Sequence, residues 1–173
     1  MKLLSSTLSL IATACLLAAC AAAPQGPRAI ANIEPTRGNA AAGSVSFEAR
    51  GDALLVNVKL SGLKPNTEHG FHIHEKGDCS SGDGMSTGGH FNPTGHVHGP
   101  QGAEHHAGDL PALKADADGR VQASFTVQAL GIGQGPTDIL GHGLIVHIAP
   151  DDYVTQPTGN SGARIGCAVI KPA

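Results

Sequence analysis

Beyond residue 28 the chain is a series of short apolar–polar alternations cut by turn residues. Ala29-Ile30-Ala31-Asn32-Ile33 stops at Pro35, and Gly43 to Ala49 alternates with period two before Arg50-Gly51-Asp52 turns the chain. Ala53 to Leu60 carries Leu54, Val56, Val58 and Leu60 on one face with Asn57 and Lys59 opposite, which predicts a half-buried strand. Ser61-Gly62 and Lys64-Pro65-Asn66 break it, and Glu68 to His74 forms the next strand. Ala123 to Val127, Gly143 to Ile148 and Arg164 to Ile170 predict three more, with Asp116 to Gly119 as a turn. No ten-residue stretch has a helical period, and no internal repeat occurs. The pattern predicts an all-β sandwich or barrel. Glu75 to Pro111 departs from it: 37 residues rich in Gly, His, Pro and Ser with no period. A loop of that length needs something besides its own backbone to order it.

The N-terminus follows a different logic. Lys2 precedes an apolar stretch from Leu8 to Ala23, too short and too rich in Ala to span a membrane, which predicts an export signal. Leu17-Ala18-Ala19-Cys20 resembles the lipobox of bacterial lipoproteins. Residues 1–19 are then the signal peptide, Cys20 the lipidated first residue, 20–28 a flexible tether containing Pro24, Gly26 and Pro27, and 29–173 the folded domain. Lipid on Cys20 would hold the protein on a membrane surface. Removal of Cys15 and lipidation of Cys20 leave Cys79 and Cys167, a pair that in an exported protein predicts a disulfide.

Composition narrows the function. Charged residues are 14%, the formal net charge is −3 and no basic block exists, so no nucleic-acid partner is expected. Trp is absent and Phe is 4, so the core rests on Val, Ile, Leu and Ala. Histidine, by contrast, is 10, nearly equal to Lys+Arg at 11, and every one lies between His69 and His147. Imidazole is the commonest protein ligand for zinc and copper. His72 and His74 stand i and i+2 on a predicted strand, so both rings face one side while Phe71 and Ile73 face the other. His147 ends another alternating strand. His90, His98, His106 and Asp109 lie in the long loop, and three imidazoles with one carboxylate suit a closed tetrahedral zinc site that would itself order the loop. His96 and His105 compete with His98 and His106, and spacing alone does not choose between them.

Together these segments resemble one family. Gly70-Phe71-His72-Ile73-His74-Glu75-Lys76-Gly77-Asp78-Cys79, Gly89-His90-Phe91-Asn92-Pro93, His106-Ala107-Gly108-Asp109-Leu110 and Gly162-Ala163-Arg164-Ile165-Gly166-Cys167 are similar, in order, to the copper,zinc superoxide dismutases over about residues 29–171. The resemblance implies a Greek-key β-barrel of about eight antiparallel strands with long metal-binding and active-site loops. It implies copper on His72, His74, His90 and His147, and zinc on His90, His98, His106 and Asp109, with His90 bridging the two and carrying a proton during catalysis. It implies Arg164 beside the copper to attract the anion, Asp151 as an outer carboxylate joining a ligand of each metal, Cys79–Cys167 as the family disulfide, and His69 as a structural residue. The implied reaction converts superoxide to dioxygen and hydrogen peroxide, which protects the cell envelope.

Two departures stand out. Gly166-Cys167-Ala168 reverses the small residues that usually flank the second Cys. Asp151 to Gly162 is short and has no Lys, unlike the charged segment of animal and plant members. The chain thus resembles the bacterial periplasmic branch, with the periplasm of a Gram-negative bacterium and an outer-membrane lipid anchor as its expected place. The family contains both homodimers and monomers.

Overall fold

The computed structural model describes residues 26–173; the signal peptide, Cys15, Cys20 and the tether up to residue 25 lie outside the described residues. The predicted alternations form the long strands β1 (Arg28–Pro35), β2 (Ala42–Arg50) and β3 (Ala53–Ser61). Glu68 to His74, predicted as one strand, divides at Gly70 into β4 (Glu68–His69) and β5 (Phe71–His74). There follow β6 (Leu113–Lys114), β7 (Val121–Gln128), β8 (Gly143–His147), β9 (Arg164–Val169) and β10 (Lys171–Pro172). Arg28, assigned to the tether from sequence, already pairs with Glu48, and Ala49 N donates to Pro27 O at 2.9 Å, so the fold begins at the end of the tether.

One antiparallel sheet runs in the order β5-β8-β9-β1-β2-β3-β7, with β10 added to β1. The chain leaves β3 near one edge and re-enters at β5, the opposite edge; it then returns to β7 beside β3 and crosses again to β8. These crossovers between antiparallel strands are the Greek-key connections expected of the barrel. Ala29, Ala31 and Ile33 of β1, Val45 and Phe47 of β2, and Leu54, Val56, Val58 and Leu60 of β3 are all buried on the concave side. Phe71, Ile73, Leu144 and Val146 extend the same core under the other half of the sheet. Burying a side chain of this size stabilises the fold by about 1.5–3 kcal/mol, so the core fixes the register of every long strand.

The 37-residue stretch is ordered by the edge strand it covers. Phe91 N donates to Ile73 O (2.8 Å), Ile73 N to Gly108 O (2.9 Å), Glu75 N to Gly89 O (3.0 Å) and Leu110 N to Phe71 O (3.2 Å). Two pieces of loop thus complete the open side of β5 and cover a sheet edge that would otherwise carry unpaired backbone groups. A short 3-10 turn, Met85–Thr87, is the only helix among the described residues. Cys79 and Cys167 form the predicted disulfide, tying this loop to β9 across 88 residues. On the chain-entropy account a closure that long is worth roughly 4–5 kcal/mol.

Candidate metal centre

Each metal-binding candidate reaches the site through a definable local cause. On β5 the period-two alternation sends Phe71 and Ile73 into the core and turns His72 and His74 to the opposite face. His72 lies opposite Ile145 and His74 opposite Gly143 on β8, so His147, two residues past Ile145, shares their face. The loop segments that complete β5 bring His90 beside His74 and Asp109 beside His72 as isolated bridges. Gly108 is required in this arrangement, because a side chain there would collide with the carbonyl of Ile73.

Two groups of four buried residues result. His72, His74, His90 and His147 make one, and His90, His98, His106 and Asp109 the other; within each group the donor atoms lie within 4.8 Å of one another. His90 belongs to both. None of the seven side chains belongs to a residue more than 5% exposed.

The hydrogen bonds around the rings decide which nitrogens face inward. His74 Nδ1 donates to Gly88 O at 3.0 Å, and His147 Nδ1 to Gly162 O at 3.1 Å. His72 Nε2 donates to Asp151 Oδ2 at 2.7 Å, and His98 Nε2 to Asp151 Oδ1 at 2.9 Å. With those nitrogens carrying the protons, the opposite ones hold lone pairs. His72 Nδ1, His74 Nε2, His90 Nε2 and His147 Nε2 are buried without a hydrogen-bond partner. So are His98 Nδ1 and His106 Nδ1, which approach the Asp109 carboxylate at 3.0 and 3.3 Å without hydrogen-bond geometry, while His90 Nδ1 bonds it at 2.8 Å. An orphaned buried acceptor costs about 1–3 kcal/mol. Four lone pairs converging on one point cannot satisfy one another; a cation satisfies all of them. Both groups therefore fit a metal: four nitrogens on one side suit copper, and three nitrogens with a carboxylate suit zinc.

Protonation agrees. Burial, reinforced by the neighbouring His90, holds His72 and His74 well below the ordinary imidazole range, and burial brings His147 down to about 4. Burial also lowers His106. Burial alone would raise Asp109, but the hydrogen bond from His90 and the charges of His90, His98 and His106 outweigh it and leave the carboxyl below its usual value. Neutral imidazoles and an ionised carboxylate are the forms that bind metal.

The remaining predicted residues fall into place around this pair of groups. Asp151 spans them, with one oxygen on His72 and the other on His98. His69 is fully buried, and its Nδ1 donates to His147 O at 2.7 Å. Arg164 is half-buried; Nη1 donates to Gly84 O and Thr87 Oγ1, both at 2.7 Å, and Nη2 to Gly88 O at 2.8 Å. Gly88 O thus joins Arg164 to His74. Two competitors lie outside both groups. His105 donates from Nδ1 to Ala103 O and accepts from Gln101 at Nε2, and His96 is exposed, outside both groups.

Three supporting side chains carry no sequence signal of their own. Thr87 is fully buried and anchors Arg164. His142 donates from Nδ1 to His74 O at 3.2 Å, and its ring lies 4.0 Å from that of Phe91. Gln156 pairs with the main chain of His98 at both ends of its amide. An amide in a turn-rich segment is so common that only the folded geometry reveals such a pairing.

Comparisons with known proteins agree with this geometry. Residues 41–170 match the family model described as copper/zinc superoxide dismutase. The superoxide dismutase [Cu-Zn] of Paramecium bursaria Chlorella virus 1 is 41% identical over 135 residues, 74% of this chain and 71% of that protein. The superoxide dismutase [Cu-Zn] 2 of Aquifex aeolicus is 40% identical over 125 residues, 68% of this chain and 72% of that protein. The superoxide dismutase-like protein YojM of Bacillus subtilis is 41% identical over 130 residues, 71% of this chain and 65% of that protein. The crystal structure of the clock protein EA4 superimposes with a TM-score of 0.78 at 33% identity, covering 86% of this chain and 96% of that one. A single antiparallel barrel, two adjoining donor groups and a match over residues 41–170 lead to one assignment: the chain belongs to the copper/zinc superoxide dismutases, a family of oxidoreductases that use copper and zinc.

Proposed function

We propose that the protein disproportionates superoxide, 2 O2•− + 2 H+ → O2 + H2O2, with copper held by His72, His74, His90 and His147 and zinc by His90, His98, His106 and Asp109. The observation that carries this reading is the set of orphaned buried nitrogens, which point into two groups that share His90. Bound there, copper would supply one-electron chemistry between two oxidation states, and zinc would supply a fixed positive charge beside His90.

The chain's own residues do the rest. His90 is positioned from its Nδ1 side by Asp109, and its buried Nε2 faces the copper group, so Nε2 is the atom that can take up and hand on a proton. Asp151 fixes the tautomers of His72 and His98, and the carbonyls of Gly88 and Gly162 fix those of His74 and His147. A guanidinium has five N–H groups. Arg164 uses three of them on Gly84 O, Thr87 Oγ1 and Gly88 O, which leaves Nη2–H and Nε–H for an arriving anion. The export signal and the lipobox ending at Cys20 support a lipid-anchored location in the periplasm of a Gram-negative bacterium, where the reaction would protect the envelope.

Substitution of ligands private to each group tests the assignment. His147→Ala should cost the protein its copper and its superoxide removal while one zinc per chain is retained. His106→Ala should cost the zinc first. Metal content by mass spectrometry checks both, and a His147→Ala protein that keeps copper and full activity contradicts the copper assignment.

A further inference from the structure

His96 and His98 stand two residues apart in the same loop, yet only His98 enters the zinc-side group. The contacts that hold His98 come from more than fifty residues away, in the segment from Asp151 to Gly162. Gln156 Oε1 accepts the backbone N–H of His98 at 2.8 Å, and Gln156 Nε2 donates to the backbone carbonyl of His98 at 2.8 Å. One planar side-chain amide thus satisfies both polar main-chain groups of His98 and holds the peptide units on either side of its Cα. Asp151 Oδ1 holds the far side of the same ring through Nε2. Gly159, at φ +64°, lies so close that any side chain would collide with Asp151 and with His98 Nε2. The Tyr153 ring runs nearly parallel to the His98 ring, at 4° and 6.5 Å between centroids. His96, by contrast, is held only by Asn92, with its N–H on Asn92 Oδ1 and its carbonyl on Asn92 Nδ2.

From this geometry we infer that Gln156 is the positioning residue of the zinc site: by clasping the His98 main chain it sets where His98 Nδ1 points, and thereby how tightly zinc is held. A segment that contains no Lys then has a defined task, which is to seat His98 rather than to guide substrate. Bonds that orient a metal ligand are worth about tenfold to a hundredfold in metal affinity, and two of them meet on this one residue. The inference rests on the reading of His98 as a zinc ligand.

The test uses the full chain loaded with copper and zinc, in wild-type form and as Gln156→Ala, Gln156→Glu, Asp152→Ala and His98→Ala. Gln156→Glu keeps an acceptor for the His98 N–H but sets a carboxylate oxygen against the His98 carbonyl. Asp152 braces the same segment through Val154 N, Thr155 N and Thr155 Oγ1 without touching His98, so its variant reports general loosening of the segment. Zinc affinity is read by chelator competition, and ligand geometry by the visible absorption of cobalt(II) placed in the zinc-side group. Both Gln156 variants are expected to bind zinc at least tenfold more weakly and to shift the cobalt bands, with copper retention and the melting temperature of the metal-free protein unchanged; Asp152→Ala should bind zinc like wild type. Wild-type zinc affinity and cobalt bands in the Gln156 variants, with zinc lost in His98→Ala, overturn the inference alone. So does an equal loss in Asp152→Ala. Undiminished zinc affinity in His98→Ala overturns the zinc assignment and this inference with it.

Discussion

Arg164 is held from below by three acceptors, two of them backbone carbonyls, which leaves its free N–H edge in a fixed orientation. Burial lowers the guanidinium from its usual value, but such a group stays charged at any pH the protein meets. A fixed positive charge near the copper group attracts an anion at short range even though the chain as a whole is negative. Arg164→Ala should therefore slow superoxide removal about tenfold or more at low salt, with copper and zinc content unchanged; stopped-flow decay of superoxide checks this, and an unaltered rate contradicts the steering role. The histidines show how far single residues can be read. His72 and His74 are legible from sequence because strand alternation dictates their common face, whereas His147 joins that face through the register of β5 on β8. Spacing does not separate His98 and His106 from His96 and His105; the family resemblance does, and the fold supplies the physical reason. There Gln156 and Asp151 seat His98, while Gln101 and Ala103 O occupy His105.

At the level of elements, β5, β8 and β9 form the rigid side of the site. Val146 opposes Gly166 but His147 opposes Arg164, so β9 carries one extra residue, Ile165, at that point. This bulge brings Arg164 into register with His147; in a regular ladder Ile165 would stand there instead. The long strands were legible because each repeats apolar residues over five or more positions. β6 and β10, with two residues each, are too short to carry a period, and Gly70 interrupts a strand that sequence alone reads as continuous. The long loop showed no pattern because its order comes from the edge of β5, the disulfide and Arg164, all distant in sequence. The imidazoles on β5 and β8 also make the metal-free fold sensitive to acid. His72, His74 and His147 are neutral when folded and ionise near 6.5 when unfolded. Between pH 6.5 and about 4 the unfolded chain binds protons that the folded chain does not, so stability falls as pH falls, by up to about 1.4 kcal/mol per pH unit for each histidine. Below about 4 the His147 contribution levels off. Urea midpoints of the metal-free protein should drop from pH 7 to pH 5; a flat or rising trend contradicts the buried neutral state.

Across the whole molecule, one antiparallel sheet supplies a rigid wall, and two segments remote in sequence close over it from Glu75 to Pro111 and from Asp151 to Gly162. The disulfide fastens the first to β9, and Asp151 and Gln156 fasten the second to the zinc-side group. The fold thus holds two sets of metal-ready lone pairs in place, and His90 belongs to both. The direct measurement is superoxide decay catalysed by the protein in three metal states: metal-free, zinc only, and copper with zinc. The expectation is rapid decay in the copper- and zinc-loaded protein alone, lost when copper is chelated and regained when copper is restored. Activity that persists without copper, or never appears with both metals bound, would contradict it.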